Sequence, residues 1–161
     1  MEKMRLGFLD RREGIRDIFL LEKQIFGSNY LSLSDLFYMY DHESYELLAA
    51  IEQCGAEERI ISYLILLDAF ETYEIIKFGT VEGERRKGWG KKLLDLAKSM
   101  ARDGIFLEVR ETNRNAIAFY GKNGFEKINI RKNYYRDTNE NAVVMCWKNK
   151  REEETDGSGA L

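Results

Sequence analysis

Residues 73–110 contain an apolar run, a turn with two glycines, an amphipathic run and a second apolar run. Apolar residues of the amphipathic run recur at i, i+3, i+4, i+7 and i+8 from Leu93 to Ala101, which predicts a helix ending near Asp103-Gly104. Tyr73–Val81 and Ile105–Arg110 are predicted strands on either side of it. A strand, a helix and a strand in this order are typical of two parallel strands joined by a right-handed crossover. This pattern restricts the chain to folds that combine helices with a sheet.

The remaining residues extend that sheet and add helices. Five further strands are predicted at Lys3–Asp10, Tyr45–Gln53, Arg59–Leu67, Phe125–Arg131 and Ala142–Lys148. Three further helices are predicted at Arg12–Phe26, Ser34–Tyr40 (with Ser34 as its cap) and Asn113–Lys122. We therefore predict an α/β (α+β) fold, with a mixed central sheet of six to seven strands flanked by about four helices. We expect residues 1–149 to form a single domain, and the acidic, Gly/Ser-containing residues 150–161 to be a disordered tail.

Composition excludes several classes of function. Basic residues cluster at 85–92 and 127–136 while acidic residues dominate 41–74, whereas a general nucleic-acid binder would be basic over a whole face. His42 is the only histidine, which argues against histidine metal sites and Ser-His-Asp triads; we expect no metal. Cys54 and Cys146 are not in a metal or redox spacing. Without a signal peptide or an 18-residue apolar span, we expect a cytoplasmic protein that contacts neither membrane nor nucleic acid.

The turn at Arg85–Lys91 is a candidate anion site. Glycines at 88 and 90 allow close approach to the backbone, and the following helix start supplies unpaired N–H groups and the positive end of its dipole. Basic side chains surround the turn: Arg86, Lys87, Lys91 and Lys92. The alternative is an ordinary solvated helix start.

Four other features admit both a functional and a structural interpretation. Glu108 is a carboxylate within an apolar strand, and either acts as an acid or base or forms an ion pair with Arg110. Tyr120 is its candidate partner or simply packs on a helix. Gly79 indicates a bulge or the close approach of another group to the backbone. An aromatic group lines a substrate entrance or belongs to the core: Phe26, Tyr30, Phe37, Tyr38 and Tyr40.

These residues resemble the GCN5-related N-acetyltransferase (GNAT) superfamily. The Arg85–Lys91 turn fits its Arg/Gln-x-x-Gly-x-Gly/Ala signature. The segments that look like the bacterial ribosomal-protein alanine N-acetyltransferases, the RimI type, are Leu107–Arg110, Asn113, Ala116–Tyr120, Gly124-Phe125 and Ile130–Tyr135. The likeness is dense over residues 75–148 and thin before them. It implies the GNAT fold.

The resemblance also implies a cofactor and roles for individual residues. Acetyl-CoA would be the acetyl donor. Its pyrophosphate would lie on the signature turn (Arg86, Lys87, Gly88, Trp89, Gly90, Lys91), and its pantetheine arm would pair with a bulged strand at Phe78, Gly79 and Thr80. Asn113 would contact CoA, Glu108 would be the general base and Tyr120 the general acid. We expect Tyr30, Arg110, Tyr134 and Tyr135 at the acceptor site, with Tyr134 and Tyr135 in a loop that frames the acceptor's N-terminus.

The implied reaction is acetylation of a protein N-terminal amine, by resemblance the N-terminal alanine of the eighteenth small-subunit ribosomal protein. The alternatives are other or broader protein or small-amine substrates, and a CoA-binding regulatory module without catalysis. Two departures from the family concern the entrance and the signature: Gly27–Tyr30 replaces the usual Pro-Trp, and Val81–Glu84 lacks the usual Asp-Pro. The oligomeric state, monomer or dimer, does not follow from the sequence.

Overall fold

The computed structural model describes residues 3–150. The seven strands are β1 Lys3–Phe8, β2 Tyr45–Cys54, β3 Glu57–Asp68, β4 Thr72–Thr80, β5 Gly104–Arg110, β6 Glu126–Tyr135 and β7 Glu140–Lys148. The four α-helices are α1 Gly14–Phe26, α2 Leu33–Asp41, α3 Trp89–Met100 and α4 Arg114–Lys122. Two short 3₁₀ turns lie at Gly27–Asn29 and Glu82–Glu84. The predicted α/β fold, with its number of strands and helices, is confirmed.

The strands form one mixed sheet in the order β1-β2-β3-β4-β5-β7-β6. Strand β4 pairs with β5 in parallel, from Thr72 opposite Gly104 to Ile75 opposite Leu107. The pairs β1–β2, β2–β3, β5–β7 and β6–β7 are antiparallel. The parallel pairing predicted from the strand, helix and strand pattern is therefore confirmed, and residues 81–103 form the crossover.

Two local predictions are wrong. Ser32, not Ser34, caps α2, because the Ser32 hydroxyl accepts a hydrogen bond from the Asp35 N–H at 3.0 Å. Strand β6 extends four residues beyond the predicted Arg131 and includes Tyr134 and Tyr135, so these tyrosines do not lie in a loop. Asn133 has a positive φ of 52° in this strand, and its N–H donates to the Asn141 side chain at 3.0 Å. A side-chain acceptor thus supports the strand where its regular register is interrupted.

By contacts, the described chain divides into two compact units. The first comprises residues 3–68 and 76–99. Its main hydrophobic cluster joins α1 and α2 to the inward-facing residues of β2 and β3, and its buried members are Leu9, Ile15, Ile18, Leu36, Leu47, Ala49, Ile51, Ile60, Tyr63 and Ile65. Six consecutive residues of β2 are buried, as expected for a strand covered on both faces.

The second unit comprises residues 69–75 and 100–150. In β5 the predicted alternation is present: Ile105, Leu107 and Val109 are buried, while Phe106 and Glu108 are only partly buried. Strand β7 is buried from Ala142 to Cys146. Strand β6 lies at the edge of the sheet and is largely exposed.

The described residues do not test two of the sequence predictions, the disordered tail and the single domain. Residues 151–161 of the predicted tail are outside the described residues, and a single domain over residues 1–149 stays a prediction. Within residues 3–150, no helix is long and apolar enough to cross a membrane.

Gly104 offers a test of the packing at the start of β5. A Cβ atom at this position would overlap the backbone carbonyl oxygen of Trp147 on the paired strand β7. We expect Gly104→Ala to lower the free energy of unfolding by about 1–3 kcal/mol or more, since paired backbone cannot yield as a side chain can. Gly7→Ala in β1 is the matched control, because a Cβ there meets nothing within 4 Å. Equal denaturant midpoints for the two variants would contradict this packing.

Candidate active site

The signature turn leads directly into α3. Arg86 and Gly88 have positive φ angles of 66° and 86°, and Gly88 has open space where a Cβ would lie. Glycine is therefore favoured at 88 by backbone conformation and not by crowding. The Lys92 N–H donates to the Gly88 carbonyl at 3.0 Å as the first bond of the helix. The N–H groups before it in this turn are the donors that every helix start leaves available.

Two of the basic residues predicted at this turn form ion pairs with acidic side chains. Lys87 Nζ lies 3.0 Å from a Glu84 carboxylate oxygen, and Lys91 Nζ lies 2.7 Å from Asp95. Hydrogen bonds from Lys87 and Arg59 lower the pKa of the Glu84 carboxyl below its ordinary value. Lys92 Nζ lies 4.4 Å above the centre of the Trp89 ring. The positive charge of the turn is thus partly balanced by its own neighbours.

Gly79 in β4 is explained by contact with another side chain. A Cβ on Gly79 would lie 2.7 Å from Cζ and Oη of Tyr63, so the tyrosine ring covers this part of the strand. The Ser62 hydroxyl donates to the Gly79 carbonyl at 2.9 Å and lies 2.9 Å from the Thr80 hydroxyl. The close approach expected at Gly79 is therefore present, and Tyr63 provides it.

Sequence reasoning missed a buried polar cluster around Glu22. The carboxylate of Glu22 is fully buried and accepts hydrogen bonds from Tyr63 Oη at 2.6 Å and from the Leu31 N–H at 2.9 Å. Lys77 Nζ lies 3.5 Å from the same carboxylate and donates to the Asn29 carbonyl at 2.9 Å. Burial and this carboxylate raise the pKa of the Tyr63 phenol. The sequence does hold a sign that Glu22 is buried: it lies seven residues after Ile15, in the apolar stripe of α1.

Through these hydrogen bonds the cluster connects residues 29–31, a few residues after the end of α1, to strands β3 and β4. Tyr30, a predicted acceptor residue, is 42% exposed in this segment, and its ring contacts Phe19 at 5.8 Å between centroids. The other aromatic residues of the predicted entrance do not form one group. Phe26 and Phe37 pack against the core cluster, whereas Tyr38 is exposed beside His42 and Tyr45.

Glu108 is held by β6 and not by its neighbour in β5. Its carboxylate lies 2.9 Å from Arg131 Nε, and its side chain is 20% exposed. The Glu108 carboxylate, acting as a hydrogen-bond acceptor for Tyr134, and burial raise the pKa of the Tyr134 phenol. The ion pair considered for Glu108 is therefore real, but its partner is Arg131 and not Arg110.

Arg110 supports the hairpin of β6 and β7. Its guanidinium donates to both carboxylate oxygens of Asp137 at 3.0–3.2 Å and to the Thr138 hydroxyl at 3.0 Å. It also lies 4.0 Å from the centre of the Tyr135 ring. These contacts give Arg110 a structural role, so a role in acceptor binding stays a prediction.

Glu108 opens onto a cleft of about 200 Å³ in the second unit. The cleft is lined by three charged side chains and by mostly apolar ones: Glu74, Glu108 and Arg131, with Ala69, Thr72, Phe106, Leu107 and Val144. Burial raises the pKa of the Glu74 carboxyl above its ordinary value, and the neighbouring Glu108 carboxylate adds to this effect while Arg131 opposes it. The cleft therefore combines two carboxylates and one guanidinium with several apolar side chains.

Tyr120 and Asn113 belong to α4. Tyr120 is 7% exposed between the rings of Phe119 and Phe125, each with its centroid 5.4 Å away. Burial raises the pKa of its phenol, which keeps the proton on the oxygen at neutral pH. Asn113 caps the helix, because its side-chain oxygen accepts from the Ala116 N–H at 3.2 Å. Within residues 3–150, no group of three or more His, Cys, Asp or Glu side chains is arranged to hold a metal ion.

The fold and a comparison with known protein families identify the family of this chain. The sequence profile of the acetyltransferase (GNAT) family matches residues 13–125, and the chain belongs to this family. Its similarity to individual members agrees with the sequence resemblance.

Two curated relatives carry related names. The chain is 35% identical over 74 residues to the N-alpha-acetyltransferase RimI of Mycobacterium tuberculosis, which covers 45% of this chain and 47% of the relative. It is 33% identical over 97 residues to the [ribosomal protein bS18]-alanine N-acetyltransferase of Haemophilus ducreyi, covering 56% and 67%. The chain therefore spans about half the length of the first relative and about two thirds of the second.

A solved structure extends the likeness to almost the whole chain. Arabidopsis thaliana NAA60 in complex with acetyl-CoA superimposes with a TM-score of 0.77 at 15% identity, covering 92% of this chain and 98% of that one. At this identity the likeness establishes the fold.

The cap of α4 gives a prediction for Asn113. Asn113→Ala removes the acceptor for the Ala116 N–H, and we expect it to lower the free energy of unfolding by about 0.5–2 kcal/mol. Asn113→Asp is the matched control, since aspartate keeps the acceptor and adds a charge favoured at a helix N-terminus. Thermal unfolding of both variants tests this: a loss of stability in Asn113→Asp as large as in Asn113→Ala would contradict the capping role.

Proposed function

We propose that this chain is an N-α-acetyltransferase that transfers the acetyl group of acetyl-CoA to a protein N-terminal amine. We propose as its acceptor the N-terminal alanine of the small-subunit ribosomal protein S18, and the cytoplasm as its location. The observation that carries the proposal is the partly buried Glu108 at the edge of a cleft in a chain of the GNAT family. The relatives named for N-α-acetylation and for bS18-alanine support the choice of acceptor.

The signature turn fits the donor by its backbone. Gly88 adopts a left-handed φ with open space in the direction of its missing Cβ, at the start of a helix of 12 residues. Such a turn offers N–H groups to a phosphate. In this proposal residues 86–91 hold the pyrophosphate, while Asn113 and the β4 segment 78–80 contact the rest of the cofactor. Bound acetyl-CoA supplies an activated thioester.

Glu108 is proposed to accept a proton from the amine, directly or through a water molecule. An α-amino group has a pKa of about 7.7–8.0, so part of it is already neutral at pH 7, whereas a lysine amine at about 10.4 costs about 3–4 kcal/mol more to deprotonate. A carboxylate is therefore a sufficient base for an N-terminal amine. Arg131 and Tyr134 orient the Glu108 carboxylate through the contacts described above.

Tyr120 is proposed to protonate the departing thiolate. A phenol carries its proton at neutral pH and can donate it to the thiolate. Direct transfer of this kind needs no nucleophile from the protein. Cys146 is buried and burial raises the pKa of its thiol, which makes it a poor nucleophile.

Two conservative substitutions test these roles. We expect Glu108→Gln and Tyr120→Phe each to lower kcat by about 10²–10⁴ with an alanine-starting peptide, because each removes one proton-transfer group while keeping the shape of the side chain. The readout is the rate of CoA release. Exposed matched controls, Glu126→Gln and Tyr38→Phe, should retain the parent rate.

The outcomes of these assays distinguish a catalytic chain from one that only binds the cofactor. Parent-like turnover in Glu108→Gln and Tyr120→Phe would refute the assigned roles. Binding of acetyl-CoA by the parent without any transfer, to peptides or to small amines, would favour a non-catalytic CoA-binding module.

A further inference from the structure

Glu74 faces the same cleft as Glu108, from the neighbouring strand. Residue 74 pairs with Phe106 in the parallel ladder, and because side chains alternate along a strand, Glu74 and Glu108 project from the same face of the sheet. Both carboxylates line the cleft, together with the apolar side chains of Phe106 and Val144. The proposed reaction assigns no role to Glu74.

The charges of this cleft are not balanced. Arg131 is its one lining cation in the described part of the chain, and its Nε is 2.9 Å from the Glu108 carboxylate. Among residues 3–150, Glu74 has no cationic side chain within ion-pair distance. The guanidinium of this cleft is therefore paired with Glu108, and the half-buried Glu74 has no ion-pair partner among the described residues. A carboxylate that is partly desolvated and close to a second one is stabilised by an additional cation.

The shape of the cleft restricts what that cation can be. Beside its charged residues the lining includes the apolar side chains of Ala69, Phe106 and Val144, and its volume of about 200 Å³ accommodates an alkyl group as well as a charge. An alkylammonium group meets both conditions, since its charge pairs with a carboxylate and its carbon atoms pack against these apolar side chains.

We propose that Glu74 is a specificity residue that binds an alkylammonium group of the acceptor beside Glu108. This inference rests on the proposed function, because it concerns the acceptor of the same site. The ammonium comes either from the acceptor's N-terminus before deprotonation or from a basic side chain on its first residue. Neutral N-blocked peptides without such a side chain are not recognised at this position.

Peptide binding to the full chain in the presence of CoA tests the inference. Isothermal titration would use three peptides of the same length: a free-amine peptide starting with alanine, the same peptide N-formylated, and an N-formyl peptide starting with lysine. We expect the parent to bind the free-amine or the formyl-lysine peptide about tenfold more tightly than the formyl-alanine peptide, a difference of about 1.4 kcal/mol. Whichever cationic peptide shows this preference identifies the source of the ammonium.

Glu74→Gln should abolish the preference. Glu71→Gln is the matched control, because Glu71 is an exposed carboxylate three residues earlier, and this variant should keep it. Glu74→Asp keeps the charge and should retain part of the preference, which distinguishes loss of charge from misfolding. The inference is overturned if the parent shows no preference, if Glu74→Gln keeps it, or if Glu71→Gln loses it equally.

This experiment separates the inference from the proposed function. A preference that depends on Glu74 in a chain that transfers no acetyl group would refute the proposed function and uphold cation binding. Acetyl transfer to an alanine-starting peptide without any preference for cationic peptides would support the proposed function and refute cation binding by Glu74.

Discussion

The parallel pairing of Thr72–Ile75 with Gly104–Leu107 is the constraint on which the rest of the structure depends. Parallel strands cannot be joined by a tight turn, so the chain must leave β4, form a helix and return. That crossover contains the signature turn with Gly88 and helix α3. The same ladder puts Glu74 and Glu108 on one face of the sheet, where both line the cleft. A single pairing thus accounts for the candidate phosphate turn and for the position of the candidate base.

Around Glu108 the structure uses charges from distant parts of the sequence. Arg131 contacts Glu108 from β6, while Arg110, two residues from Glu108, contacts Asp137 and Thr138 in the adjoining hairpin. Arg131 thus pairs with the Glu108 carboxylate, whereas Arg110 binds the loop that follows β6. It also leaves Glu74 without an ion-pair partner among residues 3–150, which is the basis for the proposed acceptor preference.

The sequence predicted those features that depend on local periodicity or on motifs. The amphipathic pattern from Leu93 to Ala101 defined α3, and the alternation in Ile105–Arg110 defined both β5 and the partly buried Glu108. Features that depend on contacts between distant residues could not be predicted. Tyr63, one partner of Glu22, is 41 residues away, and Arg131, the ion-pair partner of Glu108, lies on a different strand, β6. The support that Asn141 gives to Asn133, where β6 continues to Tyr134 and Tyr135, is not visible in the sequence pattern either.

The activity proposed for this chain is acetylation of an N-terminal α-amine. Its most direct test is mass spectrometry of a peptide with the alanine-starting N-terminus of ribosomal protein S18 and an internal lysine, after incubation with the full chain and acetyl-CoA. We expect one added acetyl group, located by fragmentation on the α-amino group, because that amine is far easier to deprotonate than lysine. Acetylation of the lysine alone, or an unchanged mass in the presence of intact acetyl-CoA, would contradict it.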